Sequence, residues 1–321
     1  MNHTIHEVTK TSPDFELFRP HTQALDEFEK HGEAKFWKLE ANGRVIGKLM
    51  ASVDKTLRVP AGYIGAIECS VHVEEFQILL NAAMLFLKSS GCKTVVGPVD
   101  LSIYRNYRIQ TLGENYFAHP GEPRSLQYFE SLFLAAGFKS LHHWKSWDFD
   151  KKICELFYLA MAKEASLYEA QMQPYEFQRY NVNDYDRQCR DLYELVVDGF
   201  YPNFGGSRPT LSEFVTLFSP TKHVICTDAS RLVYERSSQK LVGMSYACQV
   251  PGQPDAIVFH SFAIHPDHRK SGIGQKIFAV ALEETLKKYT HIVGALAKEG
   301  RTAYDKMGPH TREYHVYEKE I

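Results

Sequence analysis

Thiol pairs are missing from this chain. Its six cysteines, Cys69, Cys92, Cys154, Cys189, Cys226 and Cys248, form no CxxC. That argues against zinc-finger spacing and against a small disulfide scaffold, and no metal is expected. Scattered thiols fit a reducing cytosol. Charge of one sign is also missing: 37 basic side chains face 39 acidic ones, a net of -2. A whole-protein basic field for nucleic acid is therefore absent, although a local patch is left open. No window approaches 18 uninterrupted apolar residues, so no membrane span is expected. The N-terminal MNHTIHEVTKTSPDFELF has no apolar signal core. The expectation is a cytoplasmic protein with no nucleic-acid or membrane partner. No low-complexity run appears.

What is present is an ordinary globular composition, with 44% hydrophobic and 24% charged residues. A length of 321 residues suggests two domains, each able to bury a core. Aromatics at 13% suit filled cores and an aromatic-lined pocket without choosing its ligand.

A weak internal repeat organises the chain. Residues 44–51 read RVIGKLMA and residues 240–247 read KLVGMSYA. Further on, KTVVG at 93–97 answers THIVG at 290–294. Gly47 and Gly97 are 50 residues apart, and Gly243 and Gly294 are 51 apart. Two matches at nearly equal separation suggest one unit used twice. Chance similarity between short apolar strands is the bland alternative. Copy one has strand-like 35–40, 44–54 and 62–69, then a helix-like 74–90. Copy two has strand-like 223–235, 240–250 and 256–264, then a helix-like 272–288. A short apolar strand follows each helix. Residues 151–170 read as a helix ended by Pro174, which puts the domain boundary near 150–174. Copy two opens with a strand (175–181), a helix (184–199), a loop (200–209) and a short helix (210–219). The expected division is 1–150, a linker helix in 151–174, and 175–321.

The copies diverge at one place. About 26 extra residues, 98–123, follow Gly97 in copy one and are rich in Tyr, Arg, Pro and Gly. A loop of this length is often functional. It also reads as a flap over a sheet edge.

The chemistry concentrates in FHSFAIHPDHRKSGIGQKIF, 259–278. A strand ends at Ile264, and Arg269, Lys270, Ser271, Gly272, Ile273 and Gly274 lead into a helix. First-turn amides have no intrahelical partner, and the helix dipole adds positive potential. Such a turn suits a pyrophosphate, with Arg269 and Lys270 adding charge-assisted contacts. A glycine-capped surface turn is the bland alternative. The run is neither GxGxxG nor a P-loop.

Pro266, Arg269, Gly272 and Gly274 spell PxxRxxGxG after FAI, which resembles motif A of the GNAT superfamily of N-acetyltransferases. AYDKMG at 303–308 resembles that family's second motif. The resemblance covers about 175–321. Copy one keeps the layout, with FLAAGF at 133–138. It has CSVHVEE at 69–75 where the phosphate loop belongs, so it looks like a degenerate copy. The implied fold is α/β (α+β): two GNAT-like domains, each a mixed, mostly antiparallel sheet flanked by helices. The implied activity is transfer of an acetyl or other acyl group from acyl-CoA to an amine by direct attack on the thioester. The acceptor would be a small-molecule or peptide amine, and the protein a monomer or homodimer. A non-catalytic acyl-CoA-binding or sensor protein on the same fold is the alternative. The family pattern places backbone groups of Phe262, Ala263 and Ile264 against pantetheine and amides of 269–274 on the pyrophosphate. Tyr304 matches the family's thiolate-protonating tyrosine, or is a core tyrosine. His260 is the base candidate, or a buried strand histidine. Acceptor candidates are Tyr201 and Phe204 in the 200–209 loop, Tyr246 on strand 240–250, and Arg105 and Arg108 from the copy-one loop. The chain departs from the pattern at Ala297, where an Asn is common, and at Pro309, where a Phe is common.

Overall fold

A computed structural model describes residues 3–123, 125–126, 128–300 and 303–321. The first half contains β1 (His3–Val8), α1 (Leu25–Phe28), β2 (Gly32–Ala41), β3 (Arg44–Asp54), β4 (Gly62–Glu68), α2 (Val73–Ser89), β5 (Thr94–Gly97), β6 (Ile109–Leu112), α3 (Tyr128–Ala135) and β7 (Lys139–Phe149). Helix α4 (Lys151–Ser166) connects it to β8 (Tyr175–Gln178), α5 (Tyr185–Phe200), α6 (Leu211–Phe218), β9 (Arg231–Glu235), β10 (Leu241–Val250), β11 (Gln253–Ile264), α7 (Ile273–Lys288), β12 (His291–Lys298) and β13 (Arg312–Glu320). The two repeated blocks are therefore the same succession: β3, β4, α2, β5 in one, and β10, β11, α7, β12 in the other.

Periodicity explains the long helices. In α2, Phe76, Leu79, Leu80, Ala83 and Leu87 are fully buried against the first half's core. In α7, Ile273, Ile277, Ala281 and Leu282 do the same in the second half. Asp150 caps α4 by accepting from the Lys152 amide (2.7 Å), and Thr210 caps α6 by accepting from the Glu213 amide (3.0 Å). The strand expected over 223–235 starts only at Arg231. Its guanidinium donates to the carbonyls of Thr227, Asp228 and Ser230 and holds the preceding residues as a turn.

The strands form one continuous mixed sheet, ordered β1-β2-β3-β4-β5-β13-β7-β12-β11-β10-β9-β8, with β6 also paired to β13. Its two ends come from different halves, and its middle is exchanged. The chain's last strand, β13, pairs with β5 of the first half. The first half's last strand, β7, pairs with β12 of the second. β7 and β13 pair antiparallel with each other, Tyr314 opposite Trp144. A boundary near residue 150 thus separates stretches of chain but not stretches of sheet. Fully buried Arg312 pins the exchange: it donates to Asp148 on β7 (2.8 and 3.3 Å) and pairs with Glu122 (3.1 Å).

A second polar cluster joins the halves. His31 bonds Asp54 at the end of β3 (3.0 Å) and Glu213 on α6 (2.7 Å). Arg105 pairs with the same Glu213 (2.9 Å). Burial opposes a charge on His31, but the two carboxylates outweigh it and push its pKa up to about 9.

Two outcomes follow. Residues 1–150 and 175–321 expressed apart each lack a central strand, so neither should unfold cooperatively alone. Coexpression should give a soluble complex, and a sharp thermal transition from either piece alone contradicts the exchange. The folded state holds a proton on His31 from about pH 6.5 to about pH 9 that the unfolded chain releases. Its contribution is full below pH 6.5 and is lost as pH rises to 9. The urea midpoint should fall across that window, and His31→Gln should lower the midpoint while flattening the fall.

Candidate active site

β11 and β12 run parallel and pair only from Ala256–His291 to Phe259–Gly294. Beyond that point they part, and the backbone of His260 to Ile264 faces a gap on this side. A bulge marks the parting: Ala247 opposes Phe259 and Tyr246 opposes Ser261, so His260 is the extra residue. On the facing strand, Leu296 takes φ 55° between the two stretches of β12 that pair with β7.

At the end of β11 the chain turns through Pro266–His268 into α7. Lys270 (φ 65°) and Gly272 (φ 91°) both take left-handed backbone. Among the described residues, no amide from Lys270 to Gln275 donates a hydrogen bond within the chain; the first amide of this turn to do so is that of Lys276, to the Gly272 carbonyl (3.1 Å). The Ser271 hydroxyl is turned back onto the His268 carbonyl (2.6 Å), so it is spent locally. Arg269 and Lys270 are exposed. A side chain on Gly272 would collide with Tyr168 beyond α4, so glycine is required there both by backbone and by packing. The result is a cluster of unpaired amides at a helix start with two cations beside it, which is an anion cradle.

The corresponding gap in the first half is closed. β4 and β5 pair only at Gly62–Val95 and Tyr63–Val96. Val99 then donates to the Ile64 carbonyl (2.7 Å), and Asp100 accepts from the Ala66 amide (2.6 Å). A Cβ on Gly65 would strike this segment. At the start of α2, the Ser70 hydroxyl bonds Glu75 (2.5 Å) and accepts from the His72 amide (3.1 Å). The helix start that would take a phosphate carries a carboxylate instead.

The open gap widens into a cavity of about 660 Å3. One wall is β11 and β12 with Tyr304; another is α5 and α6, with Leu192, Val196, Phe200, Phe214 and Phe218. The roof is the 98–123 loop of the first half, through Ile103–Arg108, Pro120 and Gly121. Within that loop, β6 covers the sheet by pairing with β13, and its flanks line the cavity.

His260, Tyr304, Phe262, Tyr246, Arg105 and Arg108 all line this cavity. His260 bonds Ser261 through Nδ1 (2.9 Å), and its Nε2 abuts Gly121 so closely that a Cβ there would collide. Burial, then His119 and Arg108, push its pKa down to about 3. Its imidazole is neutral at any working pH and is a weak base. Tyr304 is wedged between Trp147 (5.5 Å) and Phe149 (5.4 Å) of β7 and the bare Gly294. Burial raises its hydroxyl's pKa well above the ordinary value, so it keeps its proton. Burial likewise raises that of Tyr246, whose hydroxyl donates to the Thr221 carbonyl (3.4 Å).

The structure places three acceptor candidates as follows. Tyr201 and Phe204 do not line the cavity. Tyr201 sits beneath Arg208 (4.5 Å), and Phe204 packs on His142 (5.1 Å) and Trp144 (5.8 Å). The loop packs against the first half instead, with the Arg58 amide donating to the Gly206 carbonyl (2.9 Å). Arg105 reaches the wall, but its charge is committed to Glu213 and it donates to the Gln23 carbonyl (2.9 Å). Of the cofactor candidates, Ala263 turns its side chain into the core beside α5, which leaves its backbone for any ligand.

His119, Tyr180, Tyr185 and the α5–α6 wall went unnoticed in the sequence. An amphipathic stripe reads as core whether it meets a sheet or a cavity. His143, Glu313 and His315 also come together, within 4.8 Å, on β7 and β13. His143 precedes Glu313 by 170 residues in sequence, and all three lie outside the cavity lining.

Residues 189–304 match the model of the acetyltransferase (GNAT) family. A tandem GNAT protein from the clavulanic acid biosynthesis pathway superposes with a TM-score of 0.55 at 10% identity, over 99% of this chain and 98% of that one. A conserved Enterococcus faecalis protein described as a probable N-acyltransferase gives 0.57 at 8% identity, over 100% and 73%. These likenesses establish the fold. A bacterial ceramide synthase of Caulobacter vibrioides is 24% identical over 219 residues, 65% of this chain. The match spans 56% of that relative's length. No helix among the described residues is long and apolar enough to cross a membrane.

The depressed pKa of His260 sets a sign. Between about pH 6.5 and about pH 3 the unfolded chain binds a proton there that the folded chain refuses. Stability should therefore fall on acidification through this window. His260→Gln should remove up to one proton from the pH slope of the urea midpoint; an unchanged slope would show that the histidine is not sealed.

Proposed function

We propose that the GNAT-family domain in the second half of this chain, within a tandem GNAT fold, transfers an acyl group from acyl-CoA to an amine, and that one of the two substrates carries an alkyl chain. The carrying observation is the continuity of three features: unpaired amides at 270–275, the parted backbone of β11, and a cavity walled by apolar side chains. The first suits a pyrophosphate, the second an extended pantetheine arm, and the third a hydrocarbon chain. The ceramide synthase relative supports the alkyl-chain part, since its name denotes a lipid amide.

In this reading the amine nitrogen attacks the thioester carbonyl carbon. The new C–N bond forms, the C–S bond breaks, and one amine proton ends on the thiol. Tyr304 is suited to deliver a proton to the departing sulfur, because burial keeps its hydroxyl protonated. Its own proton is restored from the amine. His260 is too weak a base to draw that proton off in the resting state. It serves as a neutral acceptor that orients the amine and passes the proton on as C–N bond formation raises the amine's acidity. The family's common Asn is Ala297 here, so the pantetheine contact there falls to backbone.

The test is thiol release across donor and acceptor chain lengths. Each methylene drawn into an apolar cavity is worth about 0.8 kcal/mol, about fourfold in KM. One substrate series should gain by about that factor per carbon until the cavity is full. A flat profile in both series removes the alkyl-chain part. Intact acyl-CoA binding without thiol release from any pair leaves a binding module. Replacing both exposed cations, Arg269→Glu with Lys270→Glu, should leave the melting temperature unchanged and weaken acyl-CoA binding by about tenfold or more.

A further inference from the structure

Arg108 is the anomaly of the cavity. It enters from the first half's loop at φ 87°, a left-handed conformation that a residue with a side chain rarely adopts. Its amide donates to the Pro98 carbonyl (3.1 Å), which fixes the backbone. The residue is 8% exposed, and its guanidinium lies over the rings of Tyr107 (3.7 Å) and Trp144 (4.6 Å). One terminal nitrogen donates to the Tyr107 hydroxyl. Its Nε is buried with no hydrogen-bond partner. Among the described residues no carboxylate pairs with it.

A buried guanidinium without a counter-ion is costly, and proteins seldom leave one so. The nearby acids are already engaged. Glu122 holds Arg312 (3.1 Å) and accepts from Tyr314 (2.5 Å), and Asp148 holds Arg312 as well (2.8 Å). Glu213 holds Arg105 and His31. Desolvation lowers the pKa of Arg108 to about 9, which still leaves it charged at neutral pH. That charge, after burial and His119, also helps keep His260 neutral. The two rings, set edge to face with centroids 5.5 Å apart, hold the guanidinium but do not neutralise it.

We propose that Arg108 is the recognition residue for an anionic group, a carboxylate or a phosphate, carried by the acceptor amine. This rests on the transferase reading for what the cavity is for. The acceptor class is then an amphiphile with an amine and an anion on one head and an alkyl chain lying against α5 and α6. An uncharged long-chain amine would leave the guanidinium buried and unpaired, and would be selected against by that cost.

Calorimetry on the full chain tests it with octanoate, octyl phosphate and octanol, three probes sharing one chain. The wild type should bind one of the two anions at least tenfold tighter than octanol. Preference for octanoate assigns a carboxylic head, and preference for octyl phosphate a phosphate head. Arg108→Met should erase the preference and Arg108→Lys restore part of it, with acetyl-CoA binding retained in both. Equal binding of all three by the wild type, or of none, overturns the proposal without use of any variant. So does a preference that survives Arg108→Met. Thiol release separates this from the transferase reading. Turnover with no anion preference sinks Arg108 alone, and an anion preference with no turnover from any donor sinks the transferase alone.

Discussion

The exchange of β7 and β13 is the constraint on which the rest of the molecule depends. A strand at the centre of a sheet has both edges hydrogen-bonded, and its partners cannot slide without losing a whole ladder. Here the two central strands come from opposite halves, and Arg312 crosses between them onto Asp148. The halves are thus fixed in register with each other rather than tethered by α4. Only with that register does the loop after Gly97 arrive over the gap between β11 and β12. Trp147 and Phe149, which hold the Tyr304 ring, also sit on the exchanged strand. The candidate site is built by the second half and finished by the first.

The two halves share one succession of elements and differ in what fills the gap between their parallel strands. The same parting of parallel strands occurs in both copies. In the first it is filled by Val99, Asp100 and Leu101, and Leu101 is fully buried in the core beneath β3 and β4. In the second it stays open. The segment that plugs one gap continues as the roof of the other. At the first helix start, Ser70 and Glu75 take the place of free amides and cations. An anion would meet a carboxylate there, and the site cannot be restored by opening the gap alone.

The sequence revealed what has local causes. Helix α7 and its entry were legible because the turn needs left-handed backbone at its last residue before the helix, and Gly272 stands there at φ 91°. The repeat was legible because β3 and β10 must both pass a residue-free surface at Gly47 and Gly243, where Leu79 and Ile273 pack. The exchange was not legible. KSLHHWKSWDF announces a strand but says nothing about which edge it joins, because pairing is decided by contacts far away in sequence. The same limit applies to Tyr201 and Phe204, which are not among the residues lining the cavity. Their loop looked available to a substrate until the first half's Trp144 and His142 claimed it. Arg108 appeared as one of two equivalent arginines, and only the structure separates Arg105, which has its carboxylate, from Arg108, which has none.

The acid–base character of the site follows from the same seal. A cavity that is dry enough to push His260 down to about 3 is dry enough to keep Tyr304 protonated. Burial acts on the two groups in opposite directions in pKa but to one effect, since in each the neutral form is favoured. An amine entering such a space is also held neutral, and a neutral amine is the nucleophilic form. Desolvation therefore supplies part of what a strong base would otherwise have to supply. Among the described residues that line the cavity, Arg108 is a cation with no carboxylate partner, and in the proposed reading its counter-ion comes with the substrate. A site of this kind discriminates most sharply on the group that answers the unpaired charge, and more loosely on the hydrocarbon that fills the remaining volume.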